Sequence, residues 1–226
     1  MAILKGHWQL LLLTALVFAL WQTPVVDPLK ILIVFFHELS HAIATILTGG
    51  EVISLSVSAN QGGVVWSRGG NRFLTLTAGY LGSLLIGVAL LLAATRSKAD
   101  RGVMAACGVV MLVVAGLYIR DLFALFFTIG TGVAMLATAR FLGHAANDLA
   151  LRVMGLSSMI YVPYDIFSDT IARSNLRSDA RMLAEEFGGT TMMWGGLWLV
   201  LSLVVIGWCL RYGLGTSSNI RFRKVR

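Results

Sequence analysis

LKILIVFFHELSHAIATILTGG, residues 29–50, is a run that, after Lys30 at its start, is apolar except for three ionisable side chains near its middle, His37, Glu38 and His41. Its length fits one membrane-spanning helix, stopped at Gly49-Gly50. On a helix, residues four apart share a face, so the two imidazoles can converge on one metal ion. Glu38 sits beside them, placed to take a proton from water, and the HELSH spacing is the zinc-binding HExxH pattern. An ionisable group near the centre of a bilayer costs at least about 2.5 kcal/mol, so three together point to a partner, and Zn2+ would supply it. The expectation is that His37 and His41 are metal ligands, Glu38 is the catalytic general base, and zinc is the cofactor.

The rest of the sequence sets this helix in a membrane. Of 226 residues, 57% are hydrophobic and only 13% charged, and the mean hydropathy is +0.80. An ordinary soluble domain needs more polar surface than that. The net charge of +7 fits positive residues at the ends of spans, touching anionic lipid. Basic and aromatic residues do not interleave as in a nucleic-acid reader, so no nucleic-acid partner is expected. Cys107 and Cys209 each stand alone in an apolar run and read as small buried hydrophobes.

The expected fold is an all-α polytopic membrane protein: a bundle of six to seven transmembrane helices with a small membrane-edge β-hairpin. It forms one integral-membrane domain over residues 1–226. Residues 1–21 resemble a signal peptide, but no small-x-small pattern precedes Pro24, so 8–21 reads as a retained first helix. The HExxH helix covers 29–48. Residues 51–66, EVISLSVSANQGGVVW, are rich in Val, Ile and Ser around an Asn-Gln-Gly-Gly centre, which signals a hairpin. Further spans are expected over 73–94, 102–119, 122–139 and 191–210, with an interfacial helix over 141–155 and an amphipathic helix over 175–187. A basic tail occupies 211–226. If that tail and the basic loop 95–101 share the cytoplasmic side, residues 156–172 provide one more crossing, seven in all.

Two histidines leave a catalytic zinc one protein ligand short. His7 reads as an interfacial residue. His144 and Asp148 share a helix face but read as solvated. Asp165 and Asp169, four apart in the mostly apolar segment 156–172, are the better candidates, because a carboxylate there needs a cation. Pro163 is expected to break the helix and aim Asp165 inward, which favours Asp165 as third ligand. Asp169 is the alternative, or a hydrogen-bond acceptor behind a ligand imidazole.

These features resemble the site-2 protease family of intramembrane zinc metallopeptidases. His37-Glu38-Leu39-Ser40-His41 matches its HExxH. Gly49-Gly50-Glu51-Val52 with Gly62-Gly63 looks like the strand region that follows, and Thr77-Ala78-Gly79-Tyr80-Leu81-Gly82-Ser83 like its small-residue helix. Val162-Pro163-Tyr164-Asp165 is the nearest counterpart of its downstream aspartate motif. Tyr80 and Ser83 replace the usual Pro and Asn, and no Gly follows Asp165. The pattern is most similar to the divergent peptidase M50B-like branch, which pairs HExxH with Tyr164-Asp165-Ile166-Phe167-Ser168-Asp169 and then Ser178-Asp179-Ala180. The resemblance implies a zinc metalloendopeptidase in the plasma (inner) membrane. Its partners would be the lipid bilayer and a membrane-protein substrate, cut in or near a transmembrane helix. A zinc-binding scaffold or chaperone without protease activity, and more remotely a transporter, are the competing readings.

Overall fold

The computed structural model describes residues 2–173 and 177–220. Eight α-helices and one hairpin follow in the order α1 (Ala2–Leu20), α2 (Asp27–Leu47), β1 (Glu51–Val57), β2 (Gly63–Arg68), α3 (Arg72–Arg96), α4 (Asp100–Tyr118), α5 (Leu122–Phe141), α6 (His144–Phe167), α7 (Asp179–Phe187) and α8 (Thr191–Trp208). Two π-helical turns, Ser168–Ala172 and Cys209–Gly213, extend α6 and α8. Among the described residues, five helices are long and apolar enough to cross a membrane, where six to seven spans were expected: α2, α3, α4, α5 and α8 with its π turn. The protein is therefore a multi-pass, mostly helical membrane protein. The apolar part of α1, Lys5–Leu20, is shorter than those five, and α6 carries Asp148, Arg152 and Asp165 along its length.

Local chemistry places the helix ends. Asn71, Asp121 and Thr190 cap α3, α5 and α8 by accepting from Leu74, Ala124 and Met193 amides at 2.8–3.1 Å. Gly49 adopts φ +82 just beyond α2, a left-handed stop that residues with a Cβ rarely take.

The hairpin forms where the sequence signals it. β1 and β2 pair antiparallel, with Leu55 opposite Val65 and Val57 opposite Gly63. β1 packs on α2, α4 and α5, whereas β2 packs on α2 alone. In this two-stranded sheet each strand has an unpaired edge, and β2 is the more exposed of the two. At the tip, Gln61 donates to Asp27 at 3.2 Å, tying the turn to the start of α2.

The stretch 141–172 departs from expectation. An interfacial helix followed by a separate short segment is replaced by one continuous helix, α6, ending in a π turn. Pro163 lies inside it without ending it. A proline removes one backbone hydrogen bond, but here packing holds the helix on. Ser158 donates to the Ser83 carbonyl at 2.8 Å. Gly155 and Gly87 let α6 and α3 touch so closely that a Cβ on either would stand 2.6–2.7 Å from the other helix. Similarly, the expected helix over 175–187 is shorter, Asp179–Phe187, started by Ser178 accepting from the Arg181 amide at 3.3 Å. Residues 175 and 176 lie outside the described residues.

Candidate metal centre

His37 and His41 lie on the α2 face that meets α3, and Glu38, next to His37 in the chain, faces β2. Glu38 and His41 are buried, and His37 is nearly so. The two imidazole rings stand 4.6 Å apart, edge to face. α3 comes close enough to enclose them because it presents Gly79. A Cβ there would lie 2.6 Å from Cε1 of both rings. The His41 Nδ1–H donates to the Thr75 carbonyl at 2.7 Å. That bond turns Nε2 inward as the free ligand atom, the arrangement by which a backbone acceptor fixes a metal-binding histidine.

A third candidate donor comes from α7. Oδ2 of Asp179 lies 3.0 Å from Nε2 of His37 and 3.2 Å from Nε2 of His41. These three residues offer ligand atoms all within 4.8 Å of one another. Tetrahedral zinc with bonds of about 2.0–2.1 Å spaces its ligands about 3.3 Å apart, so the donor set fits one such ion in chemistry and in spacing. Burial alone would push the Asp179 carboxyl up. The His41 and His37 imidazoles outweigh it and hold that carboxyl well below the usual carboxylate range. Its position in the first turn of α7 favours the same anionic form.

The carboxylates expected to complete the site border the cluster without joining it: Asp165 is close enough to interact electrostatically with His37 and Asp179. Asp165 stays on continuous α6 and makes no hydrogen bond or ion pair to either histidine among the described residues. The expected helix break at Pro163, which was to aim it inward, does not occur. Asp169 accepts from the Tyr80 hydroxyl at 2.7 Å and from Arg173 at 2.7 Å. His7 bonds Ser218 at 2.8 Å, His144 meets Asp100, and Asp148 pairs with Arg152 at 2.6 Å. Asp179 was missed because it lies in a charged, amphipathic stretch where a carboxylate looks solvated. Its signal was the Ser178-Asp179-Ala180 run of the family resemblance.

Glu38 is confined from the opposite side by the hairpin. Gly63, first residue of β2, lies against its side chain. A Cβ at Gly63 would stand 2.6 Å from Cγ and 2.8 Å from Cδ of Glu38. Two glycines thus frame the centre, Gly79 on α3 against the imidazoles and Gly63 on β2 against the carboxylate. Ser83, which stands where the related small-residue helix usually has Asn, is turned back onto its own helix, donating to the Gly79 carbonyl at 2.9 Å.

The family model described as peptidase M50B-like matches residues 10–209. No curated protein and no solved structure matches the chain.

Proposed function

We propose, on the premise that the chain belongs to the peptidase M50B-like family, that it is a zinc-dependent endopeptidase. It would hydrolyse a peptide bond in or beside the transmembrane segment of a membrane-protein substrate. The observation that carries this reading is the convergence of His37, His41 and Asp179 with Glu38 alongside. His37, His41 and Asp179 would hold the ion. When bound, zinc supplies Lewis-acid polarisation of the scissile carbonyl and makes water acidic enough to attack near neutral pH.

The chain's own residues do the rest. Glu38 takes a proton from the attacking water and returns it to the leaving amine, the general acid–base role its place beside both histidines fits. Thr75 fixes the tautomer of His41. The hairpin lies over Glu38 and keeps bulk solvent from it, with Gly63 making room for the carboxylate.

The open edge of β2 is the natural dock for an unwound substrate. An extended chain can add to a free strand edge through backbone hydrogen bonds, with side-chain preference set by neighbouring pockets. Beginning at Gly63, this edge starts beside Glu38. The basic residues at span ends, among them Arg96, Arg140 and Arg211, suit an anionic bilayer such as the plasma (inner) membrane.

The test is purified protein in detergent or liposomes, incubated with a panel of transmembrane substrates, as wild type and as Glu38→Gln. Cleavage by wild type, lost in Glu38→Gln while zinc content is unchanged, supports the reading. Zinc in both forms with no cleavage of any substrate favours a non-proteolytic zinc-binding scaffold. Cleavage that survives in Glu38→Gln contradicts the role of Glu38.

A further inference from the structure

His41 and His37 are held by different means. His41 is fixed through Nδ1 by the Thr75 carbonyl. His37 makes no hydrogen bond through its second ring nitrogen among the described residues, yet a metal-binding imidazole is ordinarily oriented from behind by such a partner. What stands against His37 is an aromatic ring. Tyr80 meets it edge to face, with centroids 4.7 Å apart and planes at 84°.

Tyr80 is itself fixed at both ends. It is 2% exposed, and its ring leans on Trp198 of α8 at 5.3 Å. Its hydroxyl donates to Asp169 at 2.7 Å. Asp169 lies in the π turn that follows α6, a kind of turn frequent at functional sites. Two further contacts hold that turn. Arg173 donates to the second Asp169 oxygen at 2.7 Å. Thr170 is buried against Gly195 of α8, where a Cβ would stand 2.5 Å from the Thr170 Cβ.

The same turn packs against α7, whose first residue is Asp179. Tyr80 therefore touches one ligand of the metal centre with its ring and, through its hydroxyl, the π turn that packs directly against α7, the helix that carries another.

Resting on the metal centre proposed above, we propose that Tyr80 and Asp169 form a single brace, Asp169 through the Tyr80 hydroxyl and Tyr80 through its ring on His37, that sets the His37 imidazole and the Asp179 carboxylate in zinc-binding register. Both are positioning residues. Neither touches substrate or water in this role, and Asp169 serves the centre without being a ligand.

The test uses full-length protein carrying Tyr80→Phe, Asp169→Ala, both together, or Asp169→Asn. Zinc affinity is read by chelator competition, and coordination by the visible spectrum of the cobalt-substituted form. Losing a partner behind a ligand costs about 10–100-fold in metal affinity. Tyr80→Phe and Asp169→Ala are each expected to weaken zinc binding by about that factor and to alter the cobalt spectrum. The double variant is expected to be no worse than the weaker single, because both remove one contact. Asp169→Asn, which keeps an acceptor for the hydroxyl, is expected to restore most of the affinity.

Affinities within about twofold of wild type in both single variants, with unchanged cobalt spectra, would overturn the brace, since the expected loss is at least about tenfold. So would additive losses that simply follow a fall in thermal stability. If Tyr80→Phe does not fold, Asp169→Ala carries the test from the partly exposed end of the contact. An Asp179→Ala control separates the two levels. If that control binds zinc as wild type does, the metal centre itself is wrong, and the brace falls with it.

Discussion

Oδ2 of Asp179 lies 3.0 Å from Nε2 of His37, although 142 positions separate the two residues in the chain. Between them run the hairpin, α3 to α6 and the π turn. The donor set therefore exists only once α2, α3 and α7 are packed together, and in the unfolded chain it is dispersed. An ion that binds the folded form alone stabilises that form by mass action.

Zinc is accordingly expected to raise the thermal stability of the wild-type protein. At a free concentration about 100 times the dissociation constant the gain is about 2.7 kcal/mol. Melting curves in detergent with zinc and with a chelator check this. The shift is expected to vanish in His41→Ala, which removes one donor. An equal shift in that variant would place the stabilising ion somewhere else.

Gly63 is expected to accept no side chain without loss of activity. In Gly63→Ala the new methyl group falls where the Glu38 carboxylate now lies. A displacement of about 1 Å in a catalytic group can cost about 100-fold in rate. Cleavage should drop by that order while zinc content stays at the wild-type level, because the three atoms nearest the new methyl group all belong to Glu38. Wild-type turnover in Gly63→Ala would mean that the base is not held where the geometry puts it.

Gly79→Ala should act on the metal instead. Its Cβ would press on both imidazoles, so zinc affinity is expected to fall at least about tenfold, in line with disturbed ligand orientation. Gly116 is the matched control, a helical glycine with open space around it, and Gly116→Ala should leave zinc binding unchanged. Metal content after dialysis against a buffered zinc concentration distinguishes the two.

Substrate pairing on the hairpin predicts a difference between its strands. Proline cannot donate to a ladder. On open-edged β2, Val65→Pro is expected to slow cleavage of an added transmembrane substrate several-fold or more, with zinc retained. Val57 of β1 is 1% exposed, packed into the interior, so Val57→Pro is expected to lower stability first. Unchanged cleavage in a folded Val65→Pro protein would remove strand addition from the account.

Much of this was legible in the sequence. The HELSH run gave the helix, its buried face and the pair of imidazoles, because helical spacing alone puts His37 and His41 together. Alternating Val, Ile and Ser around Asn60-Gln61-Gly62-Gly63 gave the hairpin. The long apolar runs gave five of the six to seven spans expected, since length and composition suffice for those five. α6 was harder. Pro163 carries a strong local signal for a break, and the contacts that override it, Ser158 to Ser83 and the close meeting of Gly87 with Gly155, are tertiary.

The third donor was harder still, for an instructive reason. The argument that a carboxylate in an apolar segment needs a cation is sound, and Asp169 does have one, Arg173, together with the Tyr80 hydroxyl. It does not follow that the metal donor sits in an apolar segment. α7 is polar on one face and buries Asp179 and Leu183 on the other, so a carboxylate in a hydrophilic-looking helix reaches the interior. Only tertiary packing of α7 against α3 and α8 decides that.

Zinc stoichiometry of the purified wild type, Asp179→Ala and Asp165→Ala proteins tests the central claim most directly. The expected result is about one zinc per chain in wild type and in Asp165→Ala, and none retained in Asp179→Ala after mild chelation, as for a three-ligand catalytic site. Zinc retained in Asp179→Ala but lost in Asp165→Ala would contradict the account.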